Sequence, residues 1–179
     1  MAKGTGKAIA GIITLIIGGT VYSVSQADVA SIFSEETGMS QKEAEEYVEN
    51  IPDDELVSFD ELGLEIISFG QDILSIASEI NCVNYFYEWE TETFSCDEGK
   101  SQLKTIGNSE IELGKAYQVL SSESASSEDI YSAIRLIDRV NDNYDLEIYL
   151  ELLDYSEIDE AIKTNLYNKA LLQAALDSE

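Results

Sequence analysis

Apolar and polar positions divide this chain into unlike parts. Ala8 to Ala27 contains no charged residue. From Asp28 onward, apolar side chains recur at spacings of three and four, the rhythm of an amphipathic helix. Between Cys82 and Cys96 that rhythm stops and aromatic residues crowd together.

The charge-free run is long enough to span a bilayer as a helix, at about 30 Å. Lys3 and Lys7 precede it and Asp28 opens an acidic remainder, so the positive-inside rule predicts a cytoplasmic N-terminus and an extracytoplasmic C-terminal domain. On such a helix Gly11, Thr14 and Gly18 share a face, with the small-residue spacing through which membrane helices approach a partner. A rival reading is a signal peptide: Ser25-Gln26-Ala27 fits a small-x-small cleavage site, and cutting near Ala27 would release a secreted domain. A third reading is a filament subunit processed just before Ile9, against which the remainder lacks a strand-rich pattern. Gly4-Thr5-Gly6-Lys7 resembles the end of a phosphate-binding loop, but Met1 stands where the first glycine is needed.

Val29, Ile32 and Phe33 predict a helix that Gly38 stops. Ser40 and Glu43 form a capping box for a short acidic helix ending near Asn50. Ser58 and Glu61 form a second. The clearest pattern follows it: Phe59, Leu62, Ile66, Phe69, Ile73, Ile76, Ile80, Val83 and Tyr87 form a heptad seam, and Ile67, Leu74 and Ala77 widen it on one side. That face suits the central helix of a bundle, or a coiled coil with another chain. Further helices are expected from Ser101 to Ser121, from Ser126 with a bend near Asn141 to Asp145, and from Ser156 to the end. Gly107 and Gly114 either weaken the first of these or mark a close helix contact.

The sequence thus predicts an all-α protein. Residues 1–7 form a cytoplasmic N-terminus, 8–27 a transmembrane helix or signal peptide, 28–57 short acidic connecting helices, and 58–179 an acidic antiparallel bundle. Cys82 and Cys96 are the only cysteines. In an oxidising compartment they read as a disulfide closing the aromatic loop. Within that loop Tyr85 and Trp89 are candidate partner contacts.

Charge narrows the function further. The chain has 36 acidic and 10 basic residues, a net charge of −26. Nucleic acid binding needs a positive face and is excluded. There is no histidine, which removes the commonest general base and metal ligand. Asn141-x-Asn143-x-Asp145 opens like a calcium loop, but Leu146 and Leu152 occupy the glycine and glutamate positions. No cofactor is expected, and divalent cations such as calcium would act only by bridging surface carboxylates. No serine has a visible base and no carboxylate pair is set apart by its neighbours, so no enzyme is expected. Arg135 and Arg139 lie one turn apart beside Asp138 and Asp142, a pattern that reads as intrahelical pairing.

The expectation is therefore a non-catalytic, membrane-anchored structural or interaction protein. It would be an accessory subunit of a membrane complex, or a component of a cell or virus envelope. It would form a homo- or hetero-oligomer through its membrane helix and its ectodomain. The alternatives are a secreted binding protein and a cation-binding or filament-forming surface protein.

Overall fold

The computed structural model describes residues 11–50, 58–82, 86–89, 92–144 and 155–178. Its first elements overturn the membrane reading. Ile12–Ile17 (β1) and Thr20–Ser25 (β2) are antiparallel strands, paired from Ile12 opposite Ser25 to Ile17 opposite Thr20. Two features of the run favour strands over a helix. It is dense in β-branched residues. Gly18 and Gly19 both take positive φ, 60° and 73°, which a two-residue hairpin turn requires. Ile13, Leu15, Ile17 and Val24 enter the core, while Ile12, Ile16 and Val21 face outward.

Among the described residues no helix is long and apolar enough to cross a membrane. The single-pass placement, with the N-terminus cytoplasmic and the rest extracytoplasmic, is accordingly corrected. Gly11, Thr14 and Gly18 share no helix face: Gly11 precedes β1, Thr14 lies within it, and Gly18 makes the turn. Ala8 lies outside the described residues. Cutting after Ala27 would remove five buried side chains from the folded domain: Ile13, Leu15, Ile17, Val24 and Gln26.

Helix α1 (Gln26–Thr37) follows β2 directly, capped by Ser25, whose hydroxyl accepts the Asp28 N–H at 3.0 Å. It ends at Gly38. Helix α2 (Gln41–Glu49) starts with the expected reciprocal capping box of Ser40 and Glu43. Helix α3 (Phe59–Glu79) begins at Ser58, whose hydroxyl accepts the Glu61 N–H. Helices α4 (Cys96–Ser121), α5 (Ser127–Tyr144) and α6 (Tyr155–Asp177) complete the described set of six.

Between α3 and α4 the chain forms a second hairpin, β3 (Phe86–Trp89) with β4 (Glu92–Ser95). The molecule is mostly helical but not all-α, since the expected aromatic loop is a small sheet. Cys82 and Cys96 are disulfide-bonded across it, with Cα atoms 5.3 Å apart. The bond ties the end of α3 to the start of α4. The Lys100 ammonium adds a hydrogen bond of 3.0 Å to the Ile80 carbonyl, satisfying an orphan acceptor at the end of α3.

Helix α4 lies at the centre, burying Leu103, Ile106, Leu113, Tyr117 and Leu120. Helices α3 and α5 pack along it, and α6 packs on α5 and α1. The first hairpin is held by its turn: the Gly18 N–H donates to the Leu120 carbonyl at 3.0 Å. A Cβ at Gly18 would lie 2.4 Å from the Ala125 carbonyl oxygen. Phe33, Tyr47 and Tyr167 form an aromatic cluster joining α1, α2 and α6, with Phe33 stacked on Tyr47 at 4.8 Å.

Candidate functional site

The most distinctive contact in the fold is that of α3 with α4. A Cβ at Gly63 would meet the Gly114 carbonyl oxygen at 2.6 Å, and one at Gly114 would meet the Gly63 oxygen at 2.5 Å. Gly70 and Gly107 form the same reciprocal pair, at 2.6 and 2.7 Å. Only residues without side chains let two backbones approach so closely. Both pairs are spaced one heptad apart, so the two antiparallel helices stay in register. Ile67, Leu74 and Ala77 lie along the same side of α3.

This arrangement rotates the heptad seam of α3 away from α4. Phe59 is buried against Tyr117, with ring centroids 5.5 Å apart, and Ile73 is buried. Leu62, Ile66, Phe69 and Ile80 are only partly covered, and Ile76 is exposed. Val83 lies outside the described residues. The seam therefore has an apolar face that this fold leaves half open. It forms one wall of a groove of about 590 Å³. The described residues of the opposite wall come from α6: Glu160, Ala161, Thr164 and Asn165. Glu110 of α4 lies at the floor.

Carboxylates edge the groove. With Leu62, Ile66, Phe69, Ile73 and Ile76 at the a and d positions of the heptad, Glu65, Asp72 and Glu79 all fall at g. These three are exposed, and Glu65 and Asp72 line the groove with Glu160 facing them from α6.

Glu110 is unlike them. Its residue is 1% exposed, and its Oε1 accepts the Tyr144 hydroxyl at 2.6 Å. Burial pushes its pKa up to about 7, and the Tyr144 hydrogen bond opposes that only in part. Burial, then the Glu110 charge, raise the Tyr144 phenol well above its usual range, so it remains a donor. Burial likewise raises Tyr117, with Glu110 adding to it and Asn168 working against it. Around this pair, Asn143 Nδ2 donates to Ser109 Oγ at 3.1 Å and Asn165 Nδ2 donates to Asn141 Oδ1 at 3.2 Å. Asn141 and Asn143 thus belong to helix α5 and turn inward, rather than opening a calcium loop. Asp145, Leu146 and Leu152 lie outside the described residues. Among the described residues no three cysteines and carboxylates are grouped to hold a metal ion.

The partner candidates read from sequence divide. Tyr85 lies outside the described residues, and Trp89 ends β3, opposite Glu92. Arg135 pairs within its own helix, as the sequence suggested, and Arg139 does not. Arg135 binds Glu128 at 3.1 Å, and Arg139 reaches across to Glu112 of α4. Lys169 bridges Glu36 of α1 and Asp138 of α5, both at 2.7 Å. Burial alone would lower its pKa, but the two carboxylates outweigh burial and raise it. Glu110 escaped sequence reasoning because the other carboxylates of its helix, Asp97, Glu98 and Glu112, are ordinary surface groups and its partner Tyr144 lies 34 residues away. The one signal was its place one turn from Ile106 and Leu113, among the apolar positions of α4.

Comparison with protein-family models, with curated proteins and with solved structures returned no match.

Proposed function

We propose that this protein is a non-catalytic interaction module, a subunit of a larger assembly whose docking face is the α3 groove. The observation that carries the reading is the half-open heptad seam of Leu62, Ile66, Phe69, Ile73 and Ile76. An apolar stripe in that register is the complement of another helix or of a similarly patterned surface. The surrounding molecule supports the role: a disulfide suits an oxidising compartment, and the net charge of −26 keeps unpartnered copies apart.

Site-specific photo-crosslinking in the native setting tests this. A photoreactive residue at Ile66, in the groove, should give a discrete adduct. The same residue at Tyr131, exposed on α5, should not. Equal yields at both positions, or none at Ile66, would refute the groove as the docking face.

A further inference from the structure

We infer that the groove takes a basic amphipathic helix of a partner protein, laid along α3 with its cationic side chains against Glu65 and Asp72. This rests on the groove being a docking face and names what docks there. Three observations lead to it.

The first is length and register. From Leu62 to Ile76 the seam runs about 21 Å along α3. It presents Leu62, Ile66, Phe69 and Ile76 around the buried Ile73, in alternating three and four spacing, which is the anchor pattern by which a groove reads an amphipathic helix.

The second is charge. Exposed carboxylates occupy each g position from Glu65 to Glu79, and Glu160 stands across the groove from Glu65 and Asp72. Charges flanking an a/d seam select the partner by sign. A second copy of α3 laid antiparallel would set Glu65, Asp72 and Glu79 against their own kind, which disfavours pairing of this face with itself.

The third is the floor. Glu110 is buried at the base of the groove and held by Tyr144. A lysine or arginine reaching down between the apolar anchors would meet a buried carboxyl group and would favour its ionised form.

The test titrates the full, disulfide-bonded chain with a synthetic peptide of about three heptads, leucine at a and d and lysine at e and g. Three controls run beside it: the same peptide with glutamate at e and g, a scrambled lysine peptide without the heptad, and dodecyltrimethylammonium. The lysine heptad peptide should bind, and binding should weaken as NaCl rises. The double variant Glu65→Lys/Asp72→Lys alters two exposed side chains. It should keep the wild-type circular dichroism spectrum, bind the lysine peptide about tenfold or more weakly, and gain affinity for the glutamate peptide.

The inference is overturned if the scrambled peptide binds as well as the heptad, or if the charge exchange leaves the preference unchanged. It is also overturned if only dodecyltrimethylammonium fills the groove. Adducts at Ile66 in native material, with no charge preference in the titration, would leave the groove as a docking face and remove the basic helix as its occupant.

Discussion

Glu110 shows how one buried side chain sets the pH response of this core. Its folded pKa, about 7, stands above the ordinary value of 4.5. The folded chain therefore holds the proton more tightly than the unfolded chain does. Stability falls as pH rises from about 4.5 to about 7, and above that the full cost of ionising the group is present. A shift of this size corresponds to about 3 kcal/mol. Glu110→Gln keeps an acceptor for the Tyr144 hydroxyl and removes the charge. By urea unfolding, the variant should match the wild type near pH 4.5 and exceed it by up to about 3 kcal/mol near pH 8. A difference independent of pH would contradict this account of Glu110.

Glycine carries a comparable weight in the α3–α4 contact. Replacing Gly70 or Gly107 by alanine improves helix propensity by about 1 kcal/mol. The new methyl would lie under 3 Å from a backbone oxygen of the other helix, and such overpacking costs about 1–3 kcal/mol. Each substitution should therefore be net destabilising in chemical unfolding, by up to about 2 kcal/mol. A stabilised variant would mean that the two helices are not in close contact.

At the scale of elements, the two hairpins are the parts least expected from the sequence. Helix starts and stops were legible, because a cap is local chemistry: Ser40 with Glu43, Ser58 with Glu61 and Gly38 each act where their residue types suggest. The run Ala8 to Ala27 was misread because its length and lack of charge fit a membrane helix. Its β-branched composition and the Gly18-Gly19 pair already pointed to a turn. The heptad seam was legible as a pattern. Its orientation was not, because Gly63, Gly70, Gly107 and Gly114 contribute to packing by lacking a side chain and so leave no mark in a hydrophobic count.

The turn offers a direct check. Gly18→Ala places a side chain at positive φ and against the Ala125 carbonyl, and should cost about 2 kcal/mol or more in chemical unfolding. Gly19 has open space around it, and asparagine tolerates positive φ, so Gly19→Asn should change stability by less than about 1 kcal/mol. Equal effects at the two positions would argue against the docked turn. At the other hairpin, Cys82→Ser/Cys96→Ser releases a short closed loop and should lower stability by about 3 kcal/mol.

At the scale of the whole molecule, charge and apolar surface are separated. The charge-free run supplies one face of a hairpin to the core, and carboxylates cover much of the exterior. Self-repulsion among them is screened by salt. Raising NaCl from about 0.02 M to about 0.5 M should raise Tm by a few degrees, the shift that about 1 kcal/mol produces in a chain of this size. A flat or falling Tm would contradict that balance. With Ile13, Leu15, Ile17 and Val24 inside the domain, the half-open side of α3 is the surface proposed for docking.

The fold places the charge-free run in the core as a hairpin. Nuclear Overhauser contacts in the full chain in aqueous buffer measure this most directly. Cross-strand contacts between residues 14 and 23 and between 16 and 21, as the register requires, are the expected result. An unbroken series of helical contacts from Gly11 to Ser25 would contradict it.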